Sequence, residues 1–135
     1  MKIKTTKSTS PNYAEERLPV RVLIADDRGR CRRALRAFLN TSAGVEIVAE
    51  AADGQEAIEL VEQHSPDVML MDVRMPVMDG IKATQCIKAK WPAVKVVIVS
   101  MYPSYELDAL TAGADAFISK GASPQCLLTT LSKLA

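Results

Sequence analysis

Histidine is nearly absent from this chain: His64 is the only one. Cysteine is scarce, with Cys31, Cys86 and Cys126 far apart and no C-x-x-C pair. These absences exclude a zinc centre built from cysteine and histidine and a disulfide framework. Three unpaired cysteines in helical patterns read as ordinary residues in a reducing compartment. His64 falls at a predicted helix C-terminus, where a cation suits the helix dipole. Net charge is nearly absent too, at +1, so there is no general electrostatic case for binding nucleic acid or an anionic membrane. No apolar run approaches the ~18 residues of a membrane span. The N-terminus lacks the apolar core of a signal peptide, and a cytoplasmic protein is expected. The glycine fingerprint of a Rossmann nucleotide binder is missing as well. Where it would stand, the chain reads Asp26-Asp27-Arg28-Gly29.

What remains is an ordinary globular composition. The 135 residues are 48% hydrophobic and 24% charged, enough for one domain with a sizeable core. Residues 1–18 carry Lys, Thr, Ser, Pro and Asn with almost no apolar periodicity, and are expected to form a disordered leader. The domain is expected over 19–135.

Five strand–helix units follow one another. Val20 to Ala25 is the first strand and ends in Asp26-Asp27. Its helix places Ala34, Leu35, Phe38 and Leu39 on one face. Arg30, Arg32, Arg33 and Arg36 form the opposite face, read as solvated, with docking of an acidic partner as the sharper option. Val45 to Ala51 alternates and makes a second strand at or near an edge. Asp53-Gly54 opens the second helix, with Ala57, Ile58 and Val61 inward, and Ser65-Pro66 stops it. Val68 to Met71 is a short apolar run that ends on Asp72, and Pro76 and Asp79-Gly80 follow it. The third helix runs from about Gly80 to Lys90. Val94 to Ser100 is the fourth strand. The fourth helix, about Ser104 to Ala112, has a thin apolar face of Leu107 and Leu110 and should be the least firmly held. Ala116 to Ser119 is the fifth strand and ends on Lys120. Ser123-Pro124 caps the last helix, which carries Leu127, Leu128, Leu131 and Leu134. Helices between short apolar strands mean parallel strands joined by right-handed crossovers. The expected fold is α/β, a three-layer doubly wound (βα)5 sandwich.

Four of the five strands therefore end on groups able to do chemistry: Asp26-Asp27, Asp72, Ser100 and Lys120. A parallel sheet puts all these ends on one rim, the edge where open α/β sheets bind ligands. Converging carboxylates repel unless a cation joins them. Oxygen-only donors suit Mg²⁺, which takes one or two carboxylates plus phosphate oxygens. Such a set is equipped for phosphoryl transfer, with Asp72 as nucleophile. The metal and Lys120 would offset charge on the phosphoryl oxygens, and Ser100 would hydrogen-bond one of them. Arg74 and Tyr102 each lie two residues beyond a catalytic strand end. Both can overhang an acyl phosphate and obstruct an in-line water, which would lengthen its life.

From about Val20 to Ala135 the chain resembles the receiver domain of bacterial two-component response regulators. The residues that carry the likeness are Ile24-Ala25-Asp26-Asp27, Met71-Asp72-Val73-Arg74-Met75-Pro76 with Asp79-Gly80, Val99-Ser100 and Ser119-Lys120. Met-Asp-Val-Arg-Met-Pro, Ser-Met-Tyr after strand four and Ser-Lys-Gly-Ala-Ser-Pro before helix five are similar to the FixJ/NarL (LuxR-type) subfamily. The resemblance implies a flavodoxin-like fold with strand order 2-1-3-4-5. It implies Asp72 as phosphoacceptor, Asp26 and Asp27 as metal ligands and the Arg74 backbone carbonyl as a further ligand. Phe117 matches the family's aromatic switch position, paired with Ser100. The implied partners are a sensor histidine kinase or phosphotransfer protein, a second copy on phosphorylation, and DNA only through an output domain that this chain lacks. A switch rather than a turnover enzyme is expected, most simply the regulatory half of a transcriptional regulator. The alternative is a stand-alone receiver acting as phosphate shuttle or adaptor. One departure is Gly121, where receivers often carry proline after the lysine with a cis bond. A cis bond before a non-proline residue costs about 3 kcal/mol, so trans is expected. A haloacid-dehalogenase-type phosphatase would want an acid two residues after the nucleophile, where this chain has Arg74.

Overall fold

The architecture is taken from a computed structural model, which describes residues 19–134. The expected leader lies outside the described residues. The elements run β1 (Val20–Ala25), α1 (Gly29–Asn40), β2 (Val45–Ala51), α2 (Gly54–His64), β3 (Val68–Met71), α3 (Gly80–Lys90), β4 (Lys95–Ser100), a 3₁₀ turn (Pro103–Tyr105), α4 (Glu106–Thr111), β5 (Ala116–Ser119) and α5 (Pro124–Leu134). All neighbouring strands are parallel, in the order 2-1-3-4-5.

Strand periodicity explains the layers. Side chains alternate between the two faces of a strand, and both faces of this sheet are covered. Leu23, Ala25, Met69, Met71, Val96 and Ile98 point to one face and pack with Ala57, Val61, Ala83, Ile87 and Ala109 of α2, α3 and α4. Val22, Ile24, Val68, Leu70 and Val97 point to the other and pack with Leu39, Leu127 and Leu131 of α1 and α5. The central strands β1, β3 and β4 read as continuous apolar runs for this reason, and β2 at one edge keeps its alternation.

The helix starts are set locally. Asp53 and Asp79 each accept a hydrogen bond at 2.8 Å from the backbone N–H three residues on, Glu56 and Lys82. Ser65 adopts a left-handed conformation at the end of α2 (φ 46°). All peptide bonds among the described residues are trans, including Lys120–Gly121.

Three expectations about faces are corrected. Ala34 is exposed, and Leu39 is the fully buried residue of α1, flanked by half-buried Leu35 and Phe38. The arginine face is not uniformly solvated. Arg32 donates to Glu50 at 3.0 Å and to the Asp26 carbonyl at 2.6 Å, and Arg36 also pairs with Glu50. Arginine's long stem reaches across the helix to acceptors on β2 and at the end of β1 that helical periodicity does not reveal. The expected apolar face of α4 points outward: Leu107 is 75% and Leu110 46% exposed, while Ala109 is fully buried. The 3₁₀ turn shifts the helical phase and leaves α4 six residues long, so a single alanine faces the core.

Candidate functional site

The rim residues are placed by extension of the sheet's own ladder. The Asp26 N–H donates to the Ala51 carbonyl at 3.0 Å, Asp72 N–H to Ala25 at 3.0 Å, and Lys120 N–H to Ser100 at 2.8 Å. Each strand-end residue is thus held by the neighbouring strand. The chain leaves β1 toward β2 on one side and returns to β3 on the other. Loops diverge at such a reversal and open a crevice between β1 and β3. Asp26, Asp27 and Asp72 stand there.

Glycine shapes the loop after Asp72. Gly80 N–H donates to the Val73 carbonyl at 2.8 Å, and a Cβ on Gly80 would collide with the Asp72 carbonyl oxygen. Gly54 at the start of α2 approaches the same loop, donating to the Met78 carbonyl at 2.9 Å. Val77, in the loop's bend, has φ 68°, and Met78 N–H closes onto the Pro76 carbonyl at 2.7 Å. That is a three-residue γ-turn in its rarer, strained hand.

The structure brings Asp26, Asp27, Asp72 and Lys120 together. One carboxylate oxygen from each acid lies within 4.8 Å of the others. The Lys120 ammonium is 2.8 Å from Asp26 and 3.3 Å from Asp72. Asp26 and Asp72 are buried and Asp27 is exposed. The second oxygen of Asp26 accepts from Arg28 N–H at 2.9 Å, and that of Asp72 from Val73 N–H at 2.8 Å. Three carboxylates against one ammonium leave negative charge in excess. Burial pushes the Asp72 carboxyl above its ordinary 3.8; the Lys120 charge opposes this, and repulsion from Asp26 adds to it. Burial alone would lower the Lys120 ammonium, but the hydrogen bond to Asp26 and the charges of Asp72 and Asp26 outweigh it and raise it above 10.5.

Ser100 is fully buried beside the cluster, and its Oγ accepts from Tyr102 N–H at 3.0 Å. Phe117 sits on β5 opposite Ile98, half-buried against the core. Arg74 and Tyr102 meet each other: the guanidinium carbon lies 4.0 Å from the Tyr102 ring centre. Sequence reasoning missed Tyr105, whose hydroxyl accepts from Arg74 Nε at 3.2 Å. Its spacing of three from Tyr102 was the available signal, meaningful only once the 3₁₀ turn is known. An open groove of about 650 Å³ runs past the cluster, lined by Asp27, Arg74, Ile81, Tyr105 and Asp108 among others.

The response regulator receiver domain family matches residues 22–132. The chain belongs to that family. It is 38% identical over 113 residues to the uncharacterized transcriptional regulatory protein YhcZ of Bacillus subtilis, covering 82% of this chain and 53% of that protein. It is 41% identical over 108 residues to the protein-glutamate methylesterase/protein-glutamine glutaminase of Alkalilimnicola ehrlichii, covering 76% of this chain and 27% of that one. Among solved structures it resembles a LuxR-family two-component response regulator from Aurantimonas, with TM-score 0.82, 30% identity and 86% of this chain on 84% of that one. It also resembles a chain of the CheX–CheY–BeF₃–Mg²⁺ complex from Borrelia burgdorferi, with TM-score 0.81, 29% identity and 92% on 95%. The flavodoxin-like fold and the kinship with LuxR/NarL-type regulators agree with the reading from sequence. This receiver chain spans about half the length of several transcriptional regulatory proteins that it matches. No described helix is long and apolar enough to cross a membrane.

Proposed function

We propose that this receiver accepts a phosphoryl group on Asp72 from a sensor histidine kinase or phosphotransfer protein, and that the modified face controls an output. The observation that carries the proposal is the cluster of three carboxylates with Lys120 bridging Asp26 and Asp72. A carboxylate nucleophile needs its negative charge offset before a phosphoryl group can approach. Lys120 supplies one positive charge at the attacking oxygen. Mg²⁺ fits the remainder: the donors are oxygens, the site is acidic and open on the Asp27 side, and no thiol or imidazole competes. Asp26, Asp27 and Asp72 would hold the ion, with the Arg74 carbonyl as the family's further ligand. When bound, the ion would supply the positive charge that neutralises the phosphoryl oxygens.

In this reading the reaction is an in-line displacement by the Asp72 carboxylate, with the donor's leaving group departing opposite. Ser100 then donates its hydroxyl hydrogen to a phosphoryl oxygen. Arg74 and Tyr102 roof the product and slow its hydrolysis. Phe117 follows Ser100 and passes the change to α4, β5 and α5. The exposed apolar side chains of Met101, Leu107 and Leu110 support that face as the output surface. The output we favour is a DNA-binding domain elsewhere in the parent protein, with the receiver as a switch rather than a turnover enzyme in the cytoplasm. A second copy is a further candidate for the same face. The alternative is a stand-alone receiver that acts as a phosphate shuttle or adaptor. DNA binding by the full-length protein separates the two.

The test is incubation with acetyl phosphate and Mg²⁺ followed by intact-mass measurement. One added phosphate is expected, absent in Asp72→Asn and absent when the metal is chelated. Labelling that survives either change overturns the assignment.

A further inference from the structure

We infer that Tyr105 is a positioning residue: it latches Arg74 over the phosphoacceptor and so ties the loop after β3 to the start of α4. The inference rests on the receiver reading above and adds a residue to it.

Arg74 extends from the loop that follows Asp72 and would otherwise be a free surface side chain, since its residue is exposed. An unpaired arginine samples many rotamers, and its time above any one point is short. Here three contacts restrict it. Its Nε donates to the Tyr105 hydroxyl at 3.2 Å. Its guanidinium lies 4.0 Å from the centre of the Tyr102 ring and 5.8 Å from that of Tyr105. The two rings meet edge to face, with centres 6.1 Å apart. Two tyrosines thus form a corner, and Arg74 occupies it.

The two tyrosines differ in footing. Tyr102 is exposed, whereas Tyr105 is half-buried and packed against the central core. Tyr105 is therefore the fixed wall and Tyr102 the lighter one. The corner is itself tied to the site, because Tyr102 N–H donates to Ser100 Oγ at 3.0 Å. Tyr105 N–H in turn donates to the Tyr102 carbonyl at 3.1 Å. A chain of contacts runs from Ser100 through Tyr102 and Tyr105 to Arg74, back to the loop bearing Asp72. The purely structural role, Tyr105 as a core aromatic that happens to meet Arg74, predicts that only the ring matters. The positioning role predicts that the hydroxyl matters.

Tyr105→Phe keeps the ring and removes the hydroxyl. Phosphorylated protein is freed of acetyl phosphate and its decay followed by intact mass, for wild type, Tyr105→Phe, Arg74→Ala and the double variant. Loss of the phosphate should quicken about two- to fivefold in Tyr105→Phe, the rate equivalent of one exposed hydrogen bond. The double variant should decay no faster than Arg74→Ala alone, because both changes remove the same roof. Melting temperature should be unchanged in Tyr105→Phe. A wild-type decay rate in Tyr105→Phe, or effects that multiply in the double variant, overturns the inference. Should the wild-type protein accept no phosphoryl group, the receiver reading falls, and the latch is judged on the unmodified protein. Faster amide exchange in both Arg74–Met75 and Tyr102–Thr111 of Tyr105→Phe then supports the link, and unchanged exchange overturns it.

Discussion

Asp72 and Gly80 show at the scale of single residues how this fold holds a buried carboxylate at the sheet's rim. Asp72 is buried with its pKa above 3.8, chiefly because burial disfavours the charge. A carboxyl that binds its proton more tightly in the folded protein makes folding less favourable once it ionises. The cost is fully present above the folded pKa and fades as pH falls toward 3.8. Asp72→Asn should therefore be more stable than wild type at pH 7, with the advantage shrinking as pH is lowered toward 4. Urea midpoints at several pH values check this; an advantage that grows on acidification contradicts it. Lys120 has the opposite sign. Its pKa is raised, so its contribution is present below 10.5 and lost as pH rises through the folded value. Gly80 contributes through the atom it lacks. Gly80→Ala should cost about 2 kcal/mol or more, typical of forced backbone movement in a packed site, and should weaken phosphorylation along with it. A denaturant titration with wild-type midpoint would contradict this. Val77 is the reverse case. It is 83% exposed and holds a positive φ that a β-branched residue adopts with strain. Val77→Gly should raise stability by roughly 0.5–1 kcal/mol, the strain relieved less the entropy glycine adds to the unfolded chain.

At the scale of elements, α4 is the helix with the least hold on the core. It is six residues long, one alanine faces the core, and its two leucines face outward. Burying one alanine does little to resist local opening, whereas α3 buries Ala83, Thr84 and Ile87. Amide exchange should be fastest in Glu106–Thr111 among the helices between β1 and β5. With beryllofluoride and Mg²⁺ present, protection should change across Ser100–Gly121 beyond the acidic cluster itself. Changes confined to Asp26, Asp27 and Asp72 would show that the signal leaves by another face. By contrast, the β4–β5 edge near α3 is pinned. Lys88 donates to the carbonyls of Pro92 and Val94 and pairs with Asp115 at 3.0 Å. α4 is thus flanked by a pinned α3–β4 corner.

For the whole molecule, the proposed metal binding would be linked to stability. The described residues hold three converging carboxylates and one lysine at the rim. An ion that binds only the folded state stabilises it by about 2.7 kcal/mol at a hundredfold excess over its dissociation constant. Mg²⁺ should therefore raise the melting temperature in a saturable way, and Asp26→Asn with Asp27→Asn should abolish the rise. A shift that persists in that double variant would place the ion elsewhere.

The sequence by itself determined the class of fold and the members of the rim. Strand-length apolar runs, Gly and Pro punctuation and acids at strand ends are local signals, each legible within a window of ten residues. A parallel sheet then obliges those ends to share an edge, so Asp26, Asp27, Asp72, Ser100 and Lys120 could be assembled without coordinates. What only the tertiary structure decided were the contacts made by long or phase-dependent side chains. Arg32 reaches Glu50 because α1 lies across β2. Leu107 and Leu110 face outward because a 3₁₀ turn of three residues resets the helical phase before α4 begins. Arg74 meets Tyr102 and Tyr105 because two loops thirty residues apart in the chain converge beside β3 and β4. Periodicity tells which face a residue shares with its neighbours in sequence. Where an element starts its first turn, and what stands across from it, is fixed by packing.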